Sequence, residues 1–332
     1  MRLFRRCAGF VFLLAPLTPC VRADATLRYH TDIQTAGAIG IPMSANAMLG
    51  GLRDMVIQVK GNNARSSQGN ITSIMNLMTQ ELTLVDAANK RFASVPASQY
   101  AEQAKAAIPA MPEQARALFS SMKSKMDSHS TGRTAAIQGI QAEEQEFVLT
   151  MDMALPGAPP TPGPFMKLVM QVWTAKPEEV QRVPALQEFK NYTASANFAT
   201  NPAEMMKQVL GGLPGMGDSM GAMFEEIRKK GGMALRMHTE LFMPLLAMMS
   251  QQLPQQPGQP RTPTLDPNAA IMQVNQEVVE LSSAAVDDSL FRVPQDYQAV
   301  PLADLLKAAV SAAAPAAPAP AAPPNPPSPP KQ

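Results

Sequence analysis

Alternation of apolar and polar residues recurs in separate segments of this chain, and it constrains the fold more than any other feature. Successive side chains of a β-strand point to opposite faces of a sheet, so apolar residues at every second position predict strands with one buried face. Three such segments carry their apolar positions at Met55, Ile57 and Val59, then Phe147, Leu149 and Met151, then Leu168, Met170 and Val172. A sheet of this kind requires a second layer over its apolar face.

Two other segments have the composition of helices. Residues 98–129 and 184–230 are rich in helix-forming residues with apolar positions at helical spacing, and Pro109 and Pro112 divide the first into two helices, the second ending near His129. Strands and helices do not alternate one for one, which argues against a doubly wound parallel fold. We therefore predict an α+β fold, in which a curved, incompletely closed antiparallel β-sheet (a half-barrel) is covered by helices.

The expected strands form hairpins and a meander. Glycine and asparagine at 61–63 favour a turn between two of them. The strand ranges are 24–34, 54–60 with 64–68, 82–85 with 91–95, 132–137 with 140–153, one starting near Phe165, 233–243, and 271–286.

The first 23 residues have the features of a secretory signal peptide. Arg2, Arg5 and Arg6 precede a short apolar stretch, and Ala23 offers a small residue at the cleavage position. Cleavage there would remove both cysteines and leave a net charge of −3 in place of +1. We expect a periplasmic or secreted protein without disulfides, whose residues 24–306 form a single domain with proline-rich loops near 156–164 and 251–267.

The C-terminal end is compositionally simple. A short terminal helix is expected over Leu302 to Val310, running into an Ala/Pro-rich tail, residues 307–332. Nine of the 22 residues from Ser311 onward are proline, so this segment lacks the side chains of a core and is predicted to be disordered. Such a tail could also act as a spacer toward an envelope protein partner.

No pattern of residues predicts catalysis or metal binding. Ser219 lies in a G-x-S-x-G sequence, but no strand precedes it and no well-placed acid follows before His238. His30, His129 and His238 are isolated, and we interpret Glu143, Glu144 and Glu146 as a solvated strand edge. The sequence therefore favours a protein that is not an enzyme and needs no cofactor or metal.

Methionine is unusually frequent. Ten of the 24 methionines lie between Met205 and Met249, among them Met220 and Met223. Thioethers fill irregular apolar surfaces, line adaptable cavities, or bind Cu(I), and all three interpretations remain open for this segment.

Five segments together resemble those of a known group of proteins. They are 132–144 (with Gly132, Thr134, Gly139 and the Glu143-Glu144 pair), 170–175 with Trp173, 186–189, 232–236 with Ala234 where the pattern has proline, and 287–297. The set is similar to an exported bacterial family of unknown function that resembles the periplasmic lipoprotein-carrier (LolA-like) superfamily. This resemblance implies a half-barrel with a helical lid that holds acyl chains between sheet and helices.

These features lead to a hypothesis of apolar-ligand binding in the envelope. The expected ligand is a lipid or a lipoprotein acyl chain, and a net charge of +1 argues against nucleic acid. There are three alternatives. One is an envelope interaction protein that uses its tail, and the two less favoured ones are a Ser219 hydrolase and a methionine-based Cu(I) binder. The candidate lining consists of Met55, Ile57, Val59, Phe147, Leu149, Met151, Leu168, Met170, Val172, Trp173, Met220 and Met223.

Overall fold

The computed structural model is dominated by β-strands. It describes residues 24–35, 54–107, 113, 122–153, 163–195, 221–223, 225–227, 233–245, 247–248 and 266–313. The strands are β1 (Ala25–Thr35), β2 (Met55–Lys60), β3 (Asn63–Gln68), β4 (Ile71–Asn76), β5 (Glu81–Asp86), β6 (Arg91–Pro96), β7 (Met122–Ile137), β8 (Ile140–Met153), β9 (Met166–Ala175), β10 (Ala234–Phe242), β11 (Met272–Ser282) and β12 (Gln298–Ala299). The helices are α1 (Ala97–Lys105), α2 (Pro177–Arg182), α3 (Pro184–Ser195) and α4 (Leu302–Ala313), with a 3₁₀ turn at Asp288–Phe291.

All twelve strands belong to one open sheet. Their order is β12-β6-β5-β4-β3-β2-β1-β11-β10-β9-β8-β7, so β1 pairs with β11 and joins the N-terminal strands to the later ones. Every neighbouring pair is antiparallel except β12 and β6, which run parallel. The sheet is therefore open and mixed, which corrects the purely antiparallel sheet that the sequence predicted.

Tight turns connect the hairpins. Gly61 and Gly69 adopt positive φ between β2, β3 and β4, where a side chain would be strained. Gln138 and Gly139 both have positive φ between β7 and β8, the conformation of a two-residue turn that matches strand twist. These turns fix the register of the paired strands.

A row of directly paired buried residues crosses the N-terminal half of the sheet. Its members are Ala25, Val59, Ala64, Met75, Leu82 and Val95, one from each of β1 to β6. Leu186 and Phe189 of α3 pack over β1 and β2, and Leu302 and Leu305 of α4 pack on Leu84 and Val95. Helices thus cover one face of this half, as an α+β arrangement requires.

Most predicted strands are confirmed. The hairpins β2–β3, β5–β6 and β7–β8 form where the sequence places them, and β9 and β10 match their predicted segments. The last long strand is shorter than predicted, because it ends at Ser282 rather than at 286. β4 was not predicted; it inserts between β3 and β5, which the sequence left as two separate hairpins.

The helix predicted up to His129 is wrong beyond residue 121. The segment from Met122 is the first half of β7, and Met126 faces Leu149 of β8. Pairing with a long neighbouring strand overrides the modest helix preference of this polar segment. The predicted helix over 184–230 is observed at α3 and at residues 221–223 and 225–227; residues 196–220 lie outside the described part of the chain.

The C-terminal helix forms where the sequence predicts it. We expected a helix over Leu302 to Val310, and α4 runs from Leu302 to Ala313 with Leu302 and Leu305 buried. The rest of the tail, the signal segment 1–23, and most of the two proline-rich loops lie outside the described residues.

Candidate functional site

The predicted lining residues on β8 and β9 come together on one face of the sheet. Phe147 pairs directly with Met170 and Leu149 with Leu168, and Met151 and Val172 continue the same alternation. Five of these six side chains are buried, and Leu168 is half-buried. The two strands therefore present a continuous apolar strip.

Helical residues outside the sheet contribute to the same strip. The β8–β9 cluster consists of buried Phe147, Met170, Val172 and Met223, packed with half-buried Met126, Leu168, Ile227, Ala234 and Met237. Met223 and Ile227 belong to the helical residues 221–223 and 225–227 and cover the strands from above. Met223 thus packs against the predicted lining residues of β8 and β9, whereas Met220 lies outside the described residues.

The apolar face is wider than the sequence indicated. Met237 of β10 pairs with Val172, and Leu241 pairs with Leu168 and, on its other side, with Met272 of β11. Ile33 of β1 faces Val274 of β11 in the neighbouring row. We did not predict these residues as lining, although the alternation Met237, Thr239, Leu241 carried the signal.

The other predicted lining residues belong to a different group. Val59 is buried beneath α3, and Met55, Ile57 and Trp173 pack against the same α3 cluster, which also holds Leu27, Leu186, Phe189 and Val278. The structure therefore divides the predicted lining between two clusters. That either cluster lines a ligand site remains a prediction.

Trp173 has a polar neighbour as well. The guanidinium of Arg236 lies 5.6 Å from the centre of the indole ring, and its Nε donates to Glu277 at 2.6 Å. Tyr29, in the α3 cluster, donates its hydroxyl to the carbonyl of Ala234 at 2.7 Å, and burial raises the pKa of its phenol. These contacts tie β10 to β9, to β11 and, across β11, to β1, which is a structural role.

A separate pocket of about 450 Å³ lies beside the start of β8. Its walls are residues 143–145 of β8, residues 174–176 at the end of β9, Ser130, and residues of α2 and α3. The side chain of Glu144 is completely buried and forms an ion pair with Arg133 of β7. The interpretation of Glu144 as a solvated edge residue is therefore wrong.

A bulge in β7 explains how Glu144 is paired. Ser130 faces Gln145 and Thr134 faces Glu143, so residues 131–133 all stand opposite Glu144. Gly132 takes positive φ within this bulge, and bulges of this kind redirect a side chain. Arg133 is thereby turned onto Oε1, while Oε2 of Glu144 has no hydrogen-bond partner among the described residues.

A polar row crosses the opposite face of the strands that carry the β8–β9 cluster. Gln171 donates to Glu146 at 3.2 Å, and Nδ1 of His238 lies 2.6 Å from Oδ1 of Asn275. His129 lies 3.9 Å from Glu146. The described residues contain no group of three side chains placed to hold a metal ion. Ser219 and its G-x-S-x-G sequence lie outside them.

Comparison with known proteins gives no family for the chain. No protein-family model matches it, and no curated protein is significantly similar. One solved structure, described as "Structure of PNGF-II in C2 space group", aligns with a TM-score of 0.31 and 8% identity. That alignment covers 88% of this chain and about a third (33%) of the other. None of the helices in the described part of the chain is long and apolar enough to cross a membrane.

Proposed function

We propose that this protein is exported and, without catalysing a reaction, binds an apolar ligand such as a lipid or a lipoprotein acyl chain in a LolA-like half-barrel. The observation that carries the proposal is the breadth of the apolar face. Directly paired apolar residues run from Met126 on β7 through Leu149, Leu168 and Leu241 to Met272 on β11, and Val274 pairs with Ile33 of β1 in the neighbouring row. A single open sheet agrees with a half-barrel, and the signal-like residues 1–23 support export.

The side chains of this face suit a ligand of variable shape. Met126, Met170, Met223 and Met237 belong to one cluster, and thioether side chains adapt to irregular apolar surfaces. Met126, Leu168 and Met237 are only half-buried. The other face of the same strands carries the polar row. An apolar ligand can therefore bind favourably on only one face of this half of the sheet.

The proposal is tested by binding of a fluorescent long-chain fatty acid to delipidated protein. We expect binding to the wild type, and at least about fivefold weaker binding after Met237→Gln, because an amide is costly in an apolar site. Met78→Gln is the matched control, since Met78 is 76% exposed and lies on the β4–β5 turn. Equal binding by both variants, or no binding by the wild type, would contradict the proposal.

A further inference from the structure

The buried carboxylate of Glu144 is incompletely satisfied. Arg133 donates to Oε1, while Oε2 is buried and receives no hydrogen bond from any described residue. Buried polar atoms are nearly always hydrogen-bonded, and leaving a charged one unpaired is costly. An acceptor in this position calls for a donor from beyond the described residues.

A pocket large enough for such a donor lies beside Glu144. Glu144 lines the pocket of about 450 Å³, which is many times the volume of roughly 30 Å³ that one water occupies. Thr174 and Gln145 form part of the wall and are buried as well. The pocket is therefore large enough for a small organic group, with an acceptor already fixed in its wall.

The charges around the pocket limit what that group can be. Arg133 already neutralises Glu144, and Lys176 lies 3.4 Å from the carboxylate of Glu143. Lys190 of α3 lines the same pocket, is exposed, and has no ion-pair partner among the described residues. Among the charged side chains of the described pocket wall, Oε2 of Glu144 and the ammonium of Lys190 therefore lack a partner, and they complement a donor and an anion on the same ligand.

We propose that this pocket binds a zwitterionic group, with an ammonium N–H donated to Oε2 of Glu144 and a phosphate or carboxylate directed to Lys190. Amino acids and the phosphoethanolamine headgroup of a lipid share this chemistry. The inference stands apart from the apolar site, because it rests on different residues and does not require an acyl chain to be bound.

The test is an NMR titration of the ¹⁵N-labelled protein with phosphoethanolamine, glycine and phosphocholine. Phosphocholine carries the same phosphate, but its quaternary ammonium has no N–H to donate. We expect phosphoethanolamine to bind about 10-fold or more tightly than phosphocholine, as befits one charge-assisted hydrogen bond. Tighter binding of glycine would indicate an amino-acid ligand, and tighter binding of phosphoethanolamine would indicate a lipid headgroup.

Two variants separate the two contacts. Glu144→Gln replaces the carboxylate that accepts the ammonium N–H with an amide. The preference for phosphoethanolamine over phosphocholine should therefore fall to about one. Lys190→Gln should weaken both phosphates alike and preserve that preference. Glu146→Gln removes the same charge two residues along β8, outside the pocket lining, and should leave the preference and the affinities unchanged.

Several outcomes overturn the inference. One is the absence of NMR chemical-shift changes at residues 143–145 and 174–176 with both phosphoethanolamine and glycine, which would show that neither ligand binds in the pocket. Another is an unchanged preference in a folded Glu144→Gln variant. If that variant does not fold, the test uses the preference for phosphoethanolamine over phosphocholine in the wild type and in Lys190→Gln. Equal binding of the two phosphates by the wild type would contradict the proposal.

Discussion

Val172 and Trp173 are consecutive in β9, yet their side chains belong to two different apolar clusters. Val172 packs with Phe147, Met170 and Met223, whereas Trp173 packs against the cluster beneath α3. Their separation follows from the strand period, because neighbouring side chains point to opposite faces. In β9, the residues proposed to bind a ligand therefore lie on the opposite face from Trp173.

The contact between Arg236 and Trp173 should make a small, measurable contribution to stability. We expect Arg236→Gln to lower the free energy of unfolding by about 1 kcal/mol, because it removes a cation–π contact and a partly exposed ion pair with Glu277. It should also alter the fluorescence of Trp173, the chain's single tryptophan. Arg28→Gln, which removes only the exposed pair with Glu280, is the control and should leave the fluorescence unchanged.

The packing of α3 on β1 and β2 should be a major source of stability. Phe189 is buried against that cluster, so Phe189→Ala is expected to cost about 3–5 kcal/mol by urea denaturation. Lys190→Ala, on the exposed side of the same helix, should change stability by less than about 0.5 kcal/mol. A cost below about 1 kcal/mol for Phe189→Ala would show that α3 does not cover the sheet.

The helix α4 should be part of the folded domain. Leu302 and Leu305 are buried against β5 and β6, and β12 extends the sheet just before them. A chain ending at residue 313 should keep the thermal midpoint of the full chain. A chain ending at residue 300 should melt at a lower temperature, since it loses buried leucines worth about 2–5 kcal/mol each. Identical melting of the two shortened chains would refute this assignment.

Asp86 should make stability depend on acid pH. Burial by itself raises the pKa of this carboxyl, but hydrogen bonds from Asn89 and from Arg91, at 3.0 Å, outweigh it and lower the pKa below the ordinary 3.8. The folded state then favours the carboxylate, so this stability is present above about pH 4 and is lost as the pH falls through the lowered pKa.

The measurement for Asp86 is the free energy of unfolding between pH 7 and pH 2. Asp86→Asn should be less stable than the wild type by about 1–3 kcal/mol at pH 7. The difference should shrink as the pH falls through the lowered pKa, because the protonated carboxyl is then neutral like the amide of the variant. A difference that stays constant over the whole range would assign the effect to packing instead of to charge.

The sequence predicts most of this sheet, because strand period and turn residues are local signals. Phe147, Leu149 and Met151 lie on one face, and the turns at Gly61 and Gly139 form as their residues favour. The same period could have separated Val172 from Trp173 in the predicted lining. The start of β7 was mistaken for helix, because its pairing with β8 is a tertiary interaction that no local pattern carries.

The candidate polar site is harder to predict from the sequence. A glutamate in a strand is usually solvated, and the burial of Glu144 depends on the bulge of β7 that brings Arg133 to it. Likewise, the burial of Leu302 and Leu305 depends on β5 and β6, which lie more than 200 residues earlier in the chain. Neither contact has a signature within a short window of residues.

The central claim, that the protein holds an apolar ligand, is tested most directly by native mass spectrometry of protein purified from the cell envelope, followed by solvent extraction. We expect a bound mass that extracts into organic solvent, and a smaller bound fraction after Met237→Gln than after Met78→Gln. A mass equal to that of the bare chain, with no lipid in the extract, would contradict the claim.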